Sequence, residues 1–296
     1  MAIFWKTLLS AGNMMAIAAV GWVNPSTAAS ISVVAAENVY GDIAKQLGGD
    51  HVDVMSILTN PNQDPHLFEA SASTARALAG AALVIYNGLD YDPWMEKLLA
   101  VTPNGARAVI IVGEIGGKKV GENPHLWYEP RIVAALARVI STDLTARDPA
   151  LAPDYKQRLE TFEASTARLD AQIQAMHAKY AGVAITATEP VFQYMADAIG
   201  LVVRNPEFQL AVMNETEPSA RNVGAFQDDL RRHKVKVLLY NSQATNNLAQ
   251  RMREIAETEK IPVVDVTETE PPATTYQDWM GNELDALDAA LASAGR

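Results

Sequence analysis

Short, continuous apolar runs recur along the first half of the chain: "ISVVAA" (31–36), "VDVMSIL" (52–58), "AALVIYNG" (81–88) and "ARAVIIVG" (106–113). Between them lie segments with helical spacing, such as "ENVYGDIAKQLGG" (37–49) and "ASTARALAG" (72–80). A strand that is apolar at every position is buried on both faces, so these runs predict a parallel sheet covered by helices. The pattern changes at 148–180, where Leu159, Phe162, Leu169, Ile173, Met176 and Tyr180 recur at intervals of three, four or seven. That is one face of a helix. Nothing punctuates the stretch from Asp154 to Tyr180, which predicts a single helix of about 40 Å at ~1.5 Å per residue. Such a helix is too long for a crossover and reads as a rigid connector.

The alternation then restarts. "GVAITAT" (182–188), "VKVLLYNS" (235–242) and "IPVVDVT" (261–267) read as strands; "PVFQYMADAIG", "SARNVGAFQDDLRRHK", "NNLAQRMREIAETEK" and "TYQDWMGNELDALDAALA" read as helices. The expected fold class is α/β, with two lobes, each a small mostly parallel sheet flanked by helices, joined by one long backbone helix. The expected boundaries are an N-terminal lobe at 30–147, the connecting helix at 148–180 and a C-terminal lobe at 181–296.

Residues 1–29 read differently from the rest. A lone Lys6, an apolar run from Thr7 to Val23 and small residues around Ser26–Ala29 follow the order of a cleaved signal peptide. As a membrane anchor the run would be short, and Gly12 and Asn13 interrupt it. Export to the periplasm is therefore expected. The chain has no cysteine, which excludes disulfides, thiolate metal sites and a lipid-anchored N-terminal Cys. Its formal net charge is −11, and loss of residues 1–29 removes only Lys6, leaving 23 basic against 35 acidic residues. Such a surface repels nucleic acid and anionic lipid, so neither is expected as a partner.

Candidate chemistry concentrates at two related sites. "DPHLFE" (64–69) and "NPHLWYE" (123–129) both place Pro-His-Leu before an aromatic. The proline stiffens the backbone and so presents His66 and His125 from rigid loops. A rigid loop suits a metal ligand, because ordering a mobile one costs about 1–2 kcal/mol per residue. His66 follows the strand at 52–58, and Glu189 and Glu268 follow the strands at 182–188 and 261–267. In parallel α/β sheets the loops at the carboxyl ends of strands form the ligand crevice. Two imidazoles and two carboxylates, two from each half, thus predict one divalent ion in the cleft with no net charge left to bury. A solitary histidine is more often a surface residue, and His51, His177 and His233 are read that way. Glu189 or Glu268 taken alone would be an acid at a helix N-terminus.

These motifs resemble, in order and over the whole chain after residue 29, the periplasmic metal-binding receptors of zinc and manganese ABC importers (cluster A-I). "NQDPHLFEASAST" is similar to the family's first-ligand loop and "NPHLWYEPRIV" to its Asp/Asn-Pro-His-x-Trp motif. "TATEPVFQYMADAIGL" resembles the third-ligand segment, with Phe192 and Tyr194 at the family's offsets from Glu189, and "VVDVTETEPPATTYQDWM" the last. The resemblance implies the metal ligands His66, His125, Glu189 and Glu268, a two-lobe fold around a long helix, and a membrane permease as partner. It implies a cargo of Mn²⁺, Zn²⁺ or Fe²⁺ and a monomer with no catalytic role. Two positions depart from it. The third ligand is Glu189, where zinc-type members carry histidine and manganese-type members glutamate. The fourth is a glutamate where aspartate is usual, and Glu270 and Asp265 stand beside Glu268 as candidates. The histidine-rich loop of many zinc receptors is missing too, and an oxygen-richer site leans towards Mn²⁺ or Fe²⁺. The competing reading is a metal-dependent enzyme, with His66, His125 and Glu189 as a non-haem iron or zinc triad and an open position for substrate.

Overall fold

The computed structural model describes residue 1 and residues 30–62, 68–243 and 246–294. His66 and the segment read as a signal peptide lie outside the described residues. Each half of the chain forms one four-stranded, fully parallel sheet. In the first, β1 (Ile31–Glu37), β2 (Val52–Leu58), β3 (Leu83–Tyr86) and β4 (Ala108–Ile111) take the order β2-β1-β3-β4. In the second, β5 (Ala184–Ala187), β6 (Val202–Arg204), β7 (Leu238–Asn241) and β8 (Val263–Val266) repeat it as β6-β5-β7-β8. The chain reverses direction across each sheet between its first and third strands. Ligands of open α/β sheets bind outside the carboxyl ends of strands at such a point. Glu37 and Asn87 stand there in one sheet, Glu189 and Asn241 in the other.

Local chemistry starts and stops the helices that link these strands. Helix α1 (Asn38–Gly48) follows β1 directly. The Ser71 hydroxyl accepts from the Thr74 N–H to cap α2 (Ala72–Gly80), and Pro93 opens α3 (Pro93–Val101). A single turn, α4 (Val112–Ile115), precedes the buried 3₁₀ turn Leu126–Tyr128. Helix α5 (Pro130–Arg147) then leads to α6 (Ala152–Tyr180). At 29 residues α6 is the long connector, two residues longer at its start than the sequence suggests because Pro153 occupies its first turn. The second half adds α7 (Gln193–Ile199), α8 (Pro206–Met213), α9 (Ala220–Arg231), α10 (Asn247–Thr258) and α11 (Tyr276–Ser293). Among the described residues no helix is long and apolar enough to cross a membrane.

One core runs through both halves. Val33, Ile85, Leu136, Phe162, Ile173, Ile185, Leu239 and Leu284 belong to a single buried cluster, so the inner faces of both sheets pack through α5, α6 and α11. The outer faces have their own smaller cores, around Val84 and Met95 on the first sheet and Phe208, Phe226 and Met252 on the second.

Candidate metal centre

His125 sits fully buried at the entrance to the 3₁₀ turn. Trp127 packs edge-on to its ring at 5.5 Å and to Tyr91 at 5.2 Å, a wall that keeps water from the imidazole. The tautomer follows from the hydrogen bonds. Asn123 Nδ2 donates to the Pro190 carbonyl at 2.7 Å, so its Oδ1 is the end that faces His125. That oxygen accepts from the His125 backbone N–H at 3.1 Å and lies 2.6 Å from Nδ1. An amide oxygen can only accept, so Nδ1 carries a ring proton and Nε2 is the nitrogen turned towards the seam.

That nitrogen faces a carboxylate. His125 Nε2 lies 3.3 Å from Glu268 Oε2, both side chains are inaccessible to solvent, and Nε2 has no hydrogen-bond partner among the described residues. Two such atoms this close in a dry site are held together only with a positive charge between them, a proton or a metal ion.

Glu268 is held in place by both halves of the chain. Tyr91 donates to its Oε2 at 2.9 Å and Asn241 Nδ2 to its Oε1 at 2.7 Å, while the Gln243 side chain accepts from its backbone N–H at 2.6 Å. Burial and the Glu268 charge push the Tyr91 phenol well above its usual range, which keeps it a donor. The other two acids considered for this position stand apart. Asp265 turns outward to an ion pair with Arg253 at 2.6 Å. Glu270 is buried, and its backbone exchanges two hydrogen bonds with the Asn38 side chain, at 2.7 and 3.1 Å. Burial raises its carboxyl to about 9.

Glu189 is buried at the carboxyl end of β5, and two contacts draw its segment against the His125 loop: Asn123 to Pro190, and the Tyr194 hydroxyl to the Asn123 carbonyl at 2.7 Å. The structure brings His125 and Glu268 together. Among the described residues it does not assemble three or more ligand-type side chains into one group. From solvent, a cavity of about 330 Å³ reaches Tyr91 and Pro124, between Leu89 and Val120 of the first half and Leu210 and Met213 of the second.

Comparisons with known proteins bear on the family and the fold. The profile of the zinc-uptake complex component A periplasmic family (ZnuA) matches residues 33–290. The chain belongs to that family. The manganese ABC transporter substrate-binding lipoprotein PsaA of Streptococcus pneumoniae is 24% identical over 311 residues, covering 96% of each chain. The iron-binding protein YfeA of Yersinia pestis is 24% identical over 256 residues, covering 83% of this chain and 81% of the relative. The fold is that of the periplasmic zinc binding protein TroA from Treponema pallidum, with a TM-score of 0.75 over 88% of this chain and 99% of that one at 19% identity. As a member of the zinc-uptake component A family, the chain is the metal-binding component of an ABC uptake system and not an enzyme.

Several residues that shape the centre carry no motif of their own. Asn241 was within reach of the crevice rule, because it ends β7 at the carboxyl edge. Tyr91 had no such signal: it lies in the loop after β3, and only the tertiary fold sets it against Glu268.

Proposed function

We propose that the chain captures one divalent first-row transition ion between its lobes on His66, His125, Glu189 and Glu268 and delivers it to a membrane permease. The lobes are taken as 30–147 and 181–296, around the helix at 148–180. The observation that carries this reading is the buried His125 Nε2, with its proton held on the far nitrogen, facing Glu268 at 3.3 Å. Glu189 in place of a third imidazole makes the set richer in oxygen, which weakens the preference for Zn²⁺ and leans the site towards Mn²⁺ or Fe²⁺. The leader-like 1–29 segment and the periplasmic family support delivery from the periplasm.

Metal analysis of purified protein, with Mn²⁺, Fe²⁺ and Zn²⁺ competed against one another, tests the reading. One ion per chain is expected, with binding abolished in His66→Ala and His125→Ala and sharply weakened in Glu189→Gln and Glu268→Gln. Unchanged stoichiometry and affinity in the four variants would place the ion elsewhere.

A further inference from the structure

Glu283 lies two turns into α11, buried, on the side of the helix facing the seam between the halves. Its Oε1 accepts from the Trp279 indole at 2.8 Å and from the Thr267 backbone N–H at 3.3 Å. Its Oε2 lies 2.8 Å from the Tyr128 hydroxyl, and that same hydroxyl lies 2.8 Å from the Thr267 carbonyl oxygen. The hydrogens can be counted. A phenol has one, and a carbonyl has none. With Glu283 ionised, one proton would have to serve two acceptors, leaving a pair of buried oxygens at contact with nothing between them. With Glu283 as a carboxylic acid every group is matched. Oε1 is a carbonyl oxygen accepting twice, Oε2–H donates to Tyr128 Oη, and Tyr128 donates to Thr267.

We propose that Glu283 is a protonated carboxylic acid, and that the relay Glu283–Tyr128–Thr267 is a positioning device that fixes the His125 turn of one half against the Glu268 strand end of the other. Tyr128 is three residues from His125, and Thr267 adjoins Glu268. The role therefore rests on the reading that His125 and Glu268 hold the ion. Burial works in the same direction as the hydrogen count, raising the Glu283 carboxyl to about 8. The titratable group facing it is Tyr128, with Glu268 beyond. The charged groups that α6 and α1 present to α11 engage it elsewhere, Lys179 at Asp288 and Asp42 at the Tyr276 N–H.

The sign of the pH effect follows. The folded-state value lies above the ordinary glutamate value of 4.5, so the link contributes fully below that value and is lost as pH rises through about 8. Metal binding should then fall on the alkaline side. Deprotonation of ligands alone would give the opposite trend, a gain in affinity with pH.

The experiment measures Zn²⁺ and, separately, Mn²⁺ affinity against a competing chelator, from below to above the Glu283 midpoint. Infrared spectra of wild type and Glu283→Gln are compared in parallel. Glu283→Ala and Tyr128→Phe are expected to bind about 10–100-fold more weakly, as for loss of a group that orients a ligand. Glu283→Gln, whose amide can donate to Tyr128 and accept from Trp279, should restore neutral-pH affinity and abolish the alkaline fall. The wild-type minus Glu283→Gln spectrum should show the carbonyl band of a protonated carboxyl at neutral pH, vanishing above the midpoint. Absence of that band, or binding by Glu283→Gln as weak as by Glu283→Ala, overturns the proposal, as does wild-type affinity in all three variants. If His125→Ala and Glu268→Gln bind as wild type, the site reading fails instead, and the infrared band still decides the proton.

Discussion

At the scale of a single residue, the proposed centre depends on which nitrogen of His125 is left to face the ion. Asn123 decides it: one end of the amide is committed to the Pro190 carbonyl, so the other is an acceptor that holds the proton on Nδ1. The same amide ties the His125 loop to the segment that follows Glu189. Replacing Asn123 with alanine should therefore weaken metal binding about 10–100-fold and cost about 1–3 kcal/mol of stability through the unsatisfied partners. Calorimetric titration and denaturant unfolding of the metal-free protein read the two effects separately. Affinity at the wild-type level would show that the tautomer is fixed by something else. Pro-His-Leu-aromatic made His125 visible in the sequence because the motif serves local geometry. Tyr91 and Glu283 had no such mark: their partners are 177 and 155 residues away. Only the fold brings them within reach.

At the scale of elements, what was legible was what burial dictates. Strands β1, β3 and β7 are apolar because both faces are covered, and α6 shows its buried stripe through Tyr155, Phe162, Leu169, Ile173 and Met176. Strand β6 and helix α8 were not anticipated. The first is three residues long and part-exposed, so it lacks a run to read. The second begins after Asn205, whose φ of 62° turns the chain sharply before Pro206, and at eight residues it is too short for a clear period. The stripe on α6 makes its own prediction. Phe162 is 2% exposed and stacks on Tyr276 of α11 at 6.5 Å, so Phe162→Ala removes packing between the connector and the last helix. A loss of about 3–5 kcal/mol is expected in chemical unfolding, with one ion still bound per folded chain. A loss below about 1 kcal/mol would mean that α6 does not hold the halves together.

At the scale of the whole molecule, the seam between the halves is densely tied. Asn38 grips the Glu270 backbone, Tyr91 and Tyr128 reach across to Glu268 and Thr267, Asn123 and Tyr194 link the loops on the other flank, and Gln46 meets Gln277 behind. The core is continuous beneath these contacts, and α6, about 43 Å long at ~1.5 Å per residue, runs along both halves. Opening such a seam widely would break several hydrogen bonds at about 1 kcal/mol each and bare the shared core, a cost that one bound ion would have to offset on each cycle. Release is therefore expected to use a small tilt or a local loop movement rather than a wide hinge. In solution scattering, the radius of gyration, near 18 Å for a compact chain of the expected exported length, should change by less than about 1 Å when metal is added to the stripped protein. Thermal unfolding should nevertheless shift upward, because an ion at about a hundred times its dissociation constant adds roughly 2.7 kcal/mol to the folded state. A compaction of several ångströms would mean that the seam contacts form only with the ion in place, and that binding energy is spent on closing the lobes.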